Sequence, residues 1–238
     1  MSSLEIIDDR QALRGDMNSV SWEVDFPSGF GHTSISFLKR CPGYEDAKKG
    51  DKSAAQFVVS RCVKYNQLKV VCERYPNAVL LPVISNNQLP LALAESIGLP
   101  VCKSVCTLQD KSRKSMRAID RLLHKPMFTG SINVGVSYIL VDDVITQGGT
   151  ISALRSFVIT HGGWVVAVVA LAFAIGSHAI APLKSQRIRL FLKFGFILIV
   201  ILQEYNIAST IQELTYSQAK YLLRFSNVTN IRARLSAV

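Results

Sequence analysis

Asp142 and Asp143 stand side by side at the end of an apolar run, immediately before a segment of hydroxyls and glycines: YILVDDVITQGGT, residues 138–150. Neighbouring carboxylates can accept hydrogen bonds from the vicinal hydroxyls of a sugar, or hold a hydrated Mg2+ beside them. If a helix starts at the glycines, the backbone N–H groups of Thr146, Gln147, Gly148, Gly149 and Thr150 converge with two threonine hydroxyls on one point. That point also feels the positive end of the helix and suits a phosphate. Gly148 and Gly149 allow the close approach that a side chain would hinder. The order of the segment therefore fits a sugar phosphate, with the diol on the acids and the phosphate in the loop. A second polar cluster, Ser85, Asn86, Asn87 and Gln88, follows another apolar run and can donate side-chain hydrogen bonds to an anion. Lys103 follows a third, in PVCKS.

These groups need elements to hold them. Residues 52–76 repeat apolar residues at helical spacing, including Phe57, Val58, Cys62, Leu68 and Val71, which predicts one helix ending at Pro76. AVLLPVIS predicts a buried strand, LPLALAESIG a helix closed by Gly98, and LPVCKS a short strand. A loop then precedes a helix near residues 116–123. Strand 138–141, helix 150–161, the Gly162-Gly163 turn and strand 164–172 complete the alternation. Apolar strands alternating with helices predict an α/β fold, a mostly parallel sheet flanked by helices, which binds ligands beyond the carboxyl ends of its strands. The last quarter predicts a helical C-terminal extension: residues 189–205 carry an apolar face, and Thr215 with Gln218 has capping-box spacing. The expected organisation is an N-terminal segment at 1–51 that could form a hood, an α/β core at 52–182, and the extension at 183–238.

The formal charge is +10, from 27 Lys and Arg against 17 Asp and Glu, which favours an anionic partner such as phosphate, diphosphate or nucleic acid. Residues 103–125 hold seven bases against two acids and residues 184–238 eight against two, while residues 134–181 carry only Asp142, Asp143 and Arg155 as full charges. Five cysteines without a CxxC pair or histidines at metal spacing argue against zinc and for a reduced, cytoplasmic setting. The first sixteen residues carry acids where an export signal has its apolar core. The runs WVVAVVALAFAI and FGFILIVIL fall short of the ~20 residues that cross a bilayer, and predict a buried strand and a buried helix rather than a membrane protein.

The segment YILVDDVITQGGT resembles the signature of the type I phosphoribosyltransferases: four apolar residues, two acids and a loop rich in threonine and glycine. The match is specific over about thirteen residues, and the order of strands and helices extends it loosely to residues 52–172. The resemblance implies 5-phosphoribosyl 1-diphosphate with Mg2+ as substrate and a nitrogen nucleophile that replaces diphosphate at the anomeric carbon. It gives Asp142 and Asp143 the sugar and metal, residues 146–150 the phosphate, and Ser85, Asn86, Asn87 and Gln88 the diphosphate loop. Family members often have glycine or small residues in that last loop. Lys103 takes the place of a base that contacts diphosphate. A mobile covering loop is expected between Lys103 and the signature, with Lys111, Arg113, Lys114, Arg117 and Arg121 as candidates. Relatives acting on hypoxanthine and guanine carry aspartate where this chain has Thr146, which argues against a 6-oxopurine acceptor. Acceptor recognition belongs to a variable hood, for which Phe30, His32 and Tyr44 offer rings.

A reading from a different class is a regulator that keeps the sugar-diphosphate pocket as a switch, senses the ligand without turnover, and binds nucleic acid through its basic surface. The SNNQ loop and the basic helical end favour it, and a protein of a mobile-element or defence operon is a variant of the same idea. The sequence is compatible with a homo-oligomer.

Overall fold

The computed structural model describes residues 28–108, 118–174 and 181–237. Four strands form one parallel sheet in the order β1 (Ser28–Thr33), β6 (Trp164–Phe173), β5 (Ser137–Ile145), β2 (Val79–Pro82). Strands β5 and β6 run down the middle and are almost wholly buried, as a sheet covered on both faces requires. The side chains of β5 alternate between two hydrophobic clusters. Ile139 and Val141 join one with helices α3 (Lys52–Cys62) and α5 (Leu89–Ile97), whereas Tyr138 and Leu140 join another with α7 (Gly149–Thr160). A small antiparallel pair, β3 (Cys106–Thr107) and β4 (Phe128–Thr129), stands apart from the main sheet.

The alternating α/β architecture is as the sequence predicts, with four local differences. Strand β1 was not anticipated, because SGFGHT has two glycines and little β-branched character. It pairs in parallel with β6, and a Cβ at Gly31 would lie 2.7 Å from the Phe173 ring, so glycine lets that ring rest on the strand. The expected helix over 52–76 is two helices, α3 and α4 (Tyr65–Arg74), broken at Val63 and Lys64. Both residues are extended there, and the Lys64 N–H donates to His32 Nδ1 on β1 (3.2 Å) instead of continuing a helix. The predicted strand around Val101 is reduced to a single bridge with Leu80. Strand β5 runs to Ile145 rather than ending at Val141.

Two short helices, α1 (Ile35–Arg40) and α2 (Tyr44–Lys48), follow β1, and Leu38, Tyr44 and Ala47 sink into the same cluster as α3 and α5. Gly98, at φ 89°, closes α5 as predicted. Beyond the sheet, α6 (Ala118–Leu123), α8 (Lys184–Glu204), α9 (Tyr216–Leu222) and α10 (Val228–Ser236) share a separate core built on Leu190, Leu198, Leu202 and Leu222. Helix α8 kinks at Gly195 (φ 59°), and Thr215 caps α9 with Gln218 completing the box. Ser152 of α7 donates to the Glu213 carbonyl (2.9 Å), and the Glu213 carboxylate offsets the burial of Arg155 and Lys125. Among the described residues no helix is long and apolar enough to cross a membrane.

Gly163 opens β6 in a tight space. A Cβ there would meet Ile132 Cγ2 and Val158 Cγ1 at 2.9 Å and Tyr138 Cε2 at 3.1 Å. Gly163→Ala should lower the stability measured by urea unfolding by about 1–3 kcal/mol, the usual cost of overpacking. A wild-type midpoint would refute the close packing at this turn.

Candidate functional site

The carboxyl edge of the sheet is stepped. Strand β2 ends with Pro82 opposite Val141, and the Val83 N–H donates to the Val141 carbonyl (2.9 Å). Strand β5 continues along β6, with Asp142 opposite Ala170 and Ile145 opposite Phe173. The acids therefore lie inside β5 on its β6 side, just past the point where the chain leaves β2. The loop that leaves β2 there is the SNNQ cluster.

Both carboxylates are largely buried, with Asp142 8% and Asp143 6% exposed. The two-residue period of the strand sends them to opposite faces. Asp143 points to the face that carries α2, where its Oδ2 lies 3.0 Å from Lys48 Nζ. The Lys48 ammonium also lies 5.4 Å from the centroid of the Tyr44 ring, and donates to the Tyr44 hydroxyl at 3.4 Å. Although burial alone would depress it, contact with Asp143 and Tyr44 lifts the Lys48 pKa to about 12. Among the described residues Asp142 has no such cation at contact distance. Its Oδ1 accepts the Asp143 N–H (2.9 Å), and burial, followed by repulsion from Asp143, pushes its carboxyl well above the usual carboxylate range.

The loop is tied to the same helix. The Gln88 N–H donates to the Ala47 carbonyl (3.0 Å), and Gly50 passes close to the Asn86 carbonyl. Within the loop, Ser85 Oγ accepts from the Asn87 N–H and Asn87 Oδ1 from the Leu89 N–H, both at 3.2 Å, while Gln88 Nε2 donates to the Asn86 carbonyl. The loop thus holds its own turn and starts α5. On the other side of the acids, Thr146 and Gln147 are exposed, and Gly148 (φ 72°, ψ 6°) stands at the N-cap of α7 without a side-chain capping bond. Gly149 and Thr150 begin the twelve-residue helix, whose first turn follows the end of β5 and has no side-chain capping bond among the described residues.

Lys103 and Tyr44 are engaged elsewhere than expected. Lys103 is ion-paired with Glu95 of α5 at 2.7 Å on an exposed flank, two strands from the acids, so its charge is engaged away from them. Lys111, Arg113, Lys114 and Arg117 lie outside the described residues, as does the side chain of Arg121. Tyr44 is 4% exposed and supports Lys48 rather than offering a free face to a base. Sequence reading missed Lys48. Its only local sign was the four-residue spacing from Tyr44 in GYEDAK, which places both on one helix face.

The Mg2+ expected from the resemblance does not fit this donor set. Lys48 already pairs with Asp143, Asp142 turns to the other face, and the described residues hold no group of three His, Cys, Asp or Glu able to bind a metal. No step below is routed through that ion.

No protein-family model matches the chain. It is 29% identical over 224 residues to Protein TraN of Escherichia coli, which covers 90% of this chain and 50% of that protein. It is also 29% identical over 163 residues to an uncharacterized protein of Haemophilus influenzae, covering 63% of this chain and 35% of the other. The chain therefore spans half or less of these relatives. Similar solved structures include a purine phosphoribosyltransferase from Pyrococcus horikoshii, at 21% identity and a TM-score of 0.35, covering 48% of this chain and 73% of that one. Adenine phosphoribosyltransferase from Saccharomyces cerevisiae is similar at 15% identity and a TM-score of 0.36, covering 52% and 72%. UMP synthase from Leishmania donovani covers 82% of this chain and 38% of its own, at 13% and 0.35. The fold class rests on the chain's own strand order rather than on these likenesses.

The electrostatics predict opposite effects from adjacent substitutions. Asp142 binds a proton on folding over the window from the ordinary carboxylate pKa up to its raised one, so it subtracts stability as pH rises through that window. Asp142→Asn keeps the oxygen that accepts from Asp143 and should raise the melting temperature near pH 7, with the gain fading toward pH 4. Asp143→Asn leaves Lys48 half-buried without its anion and should cost about 1–3 kcal/mol at pH 7. Equal effects from the two would contradict the assigned ion pair.

Proposed function

We propose that the carboxyl edge of this sheet binds a 5-phosphorylated pentose of the phosphoribosyl diphosphate class and transfers its phosphoribosyl group to a nitrogen acceptor. The observation that carries this reading is the uncapped start of α7, with Gly148 in a left-handed conformation, directly after an acid-bearing strand of signature sequence. The free N–H groups of that first turn and the Thr150 hydroxyl supply donors for a phosphate, and the helix end adds favourable potential. Lys48 and the raised pKa of Asp142 bear on the same function. They reduce the negative charge of the acid pair, which would otherwise repel a ligand with several phosphate charges.

In the transfer, the bond between the anomeric carbon and the diphosphate oxygen breaks, and its electron pair leaves with diphosphate. The acceptor nitrogen supplies the pair for the new C–N bond and loses its proton to solvent. The protein's task is to hold the sugar and ease the departure of negative charge. The first turn of α7 does the holding by anchoring the 5-phosphate, and the SNNQ loop lies where the diphosphate would depart.

Binding without turnover is the second reading, favoured by one observation: an ammonium group of the chain itself engages the outer acid. Cells would then read the ligand's concentration through this site. A nucleic-acid partner for the basic surface belongs to that reading, and a log–log fall of affinity with salt would reveal it.

Calorimetry with phosphoribosyl diphosphate, with and without Mg2+, tests the proposal, alongside diphosphate release over a panel of nitrogenous bases. Thr150→Val should weaken the sugar diphosphate and ribose 5-phosphate alike by about five- to tenfold, since both lose the same donor. Binding without diphosphate release would select the sensor, and no binding by a folded protein would sink both readings.

A further inference from the structure

Helices α9 and α10 both pack on α8, more than on each other. Their caps, Leu223 and Asn227, leave only Arg224, Phe225 and Ser226 between them. This short turn is fixed from both sides. The Arg224 and Phe225 N–H groups donate to the Tyr221 and Leu222 carbonyls, both at 3.1 Å, and the Phe225 ring meets Tyr221 edge-on at 5.3 Å. Asn227 Oδ1 caps α10 by accepting the Asn230 N–H (2.9 Å), and Asn230 Nδ2 donates back to Ser226 Oγ (2.7 Å). Ile231 and Leu235 anchor α10 in the core it shares with α8. The helical period then turns Thr229, Asn230 and Ala233 outward, with Arg232 and Arg234 on opposite flanks, and all five are exposed. Residues 214–238 carry four bases, Lys220, Arg224, Arg232 and Arg234, and no acid. Glu204 of α8 holds Arg232 at 2.7 Å, and Lys193 adds its charge beside the turn by donating to the Leu223 carbonyl (3.1 Å).

We propose that α9 and α10 form a helix-turn-helix that docks duplex DNA, with the outward face of α10 in the major groove and the surrounding bases on the phosphates. Two short helices joined by a three-residue turn and seated on a third are the arrangement that lays its second helix in that groove. The groove is about 12 Å wide, so a helix enters it most closely where its outward side chains are short, as Thr229, Asn230 and Ala233 are. Asn230 has the amide that suits an adenine edge, and Thr229 and Ala233 have methyl groups that suit thymine. A membrane surface would instead call for an apolar outward face, which α10 lacks. The proposal gives the nucleic-acid partner of the second reading a place in the fold. It stands on α9 and α10 alone, so failure of sugar-phosphate binding at the sheet edge would leave it intact, and its own failure would leave the sheet edge untouched.

Fluorescence anisotropy of a labelled, mixed-sequence duplex of about 20 base pairs, titrated with the intact chain, reads the contact. With roughly four bases on phosphates, affinity should fall about a hundredfold between about 50 and 200 mM salt. Ala233→Glu puts an acid on the outward face of α10 and should weaken the duplex at least about tenfold, whereas Ser60→Glu, the same change of charge on the exposed side of α3, should leave affinity unchanged. Lys220→Gln combined with Arg224→Gln should flatten the log–log salt slope by about two. Hydrogen exchange of the unmodified chain should show protection by the duplex at residues 216–236, and it decides the matter if a variant fails to fold. No binding at about 50 mM salt, equal losses from Ala233→Glu and Ser60→Glu, or a single strand or RNA held as tightly as the duplex overturns the proposal.

Discussion

The contact between Lys48 and Asp143 joins parts of the chain 95 residues apart, and the geometry of the site depends on it. A carboxylate inside a parallel sheet is costly, because the strand on each side and the layers above and below exclude water. Asp143 stands where β2 has already ended, and α2 closes over that step with an ammonium. The same helix accepts the Gln88 N–H through the Ala47 carbonyl, so one short element fixes both the acid and the neighbouring loop. Tyr44 completes the arrangement by filling the core with its ring while its hydroxyl and π face hold Lys48.

Asp142 shows what happens without such a partner. It is one residue away, yet it turns to the other face and, among the described residues, keeps only the Asp143 N–H. Its charge is then suppressed rather than compensated. Two adjacent identical residues thus meet burial differently, one through an ion pair and the other through a raised pKa. Their side chains do not converge as a pair of arms on a shared cation, although the sequence alone invites that picture.

Much of the fold was legible because buried parallel strands leave an unambiguous mark: long apolar runs such as YILV and WVVAVVALAF, separated by helices with clear stops at Gly98 and Gly162. The capping box at Thr215 and Gln218 was equally readable, since it is purely local. What escaped was set by contacts across the chain. The break in the 52–76 helix depends on His32 receiving the Lys64 N–H, and β1 depends on Phe173 and the free edge of β6 rather than on strand propensity. The candidate site divides in the same way. The acids and the glycine turn were visible as a consecutive segment, but Lys48 has no sequence signal because its partner is remote, and Lys103 went to Glu95 because a nearby exposed anion captures a flexible ammonium group.

The distribution of charge gives the edge of the sheet its character. The chain carries +10 overall, yet its central residues have almost no full charges, and of the two acids at the carboxyl edge one is paired with Lys48 and the other has its pKa raised by burial. What remains exposed there is Thr146 and Gln147, followed by the half-buried first turn of α7, whose N–H groups and helix dipole are positive without any ionisable side chain. An anion approaching this edge meets fixed backbone donors rather than mobile lysines. Such donors lose little conformational entropy on binding, so selectivity among anions follows from the shape of the Gly148 turn more than from the total charge.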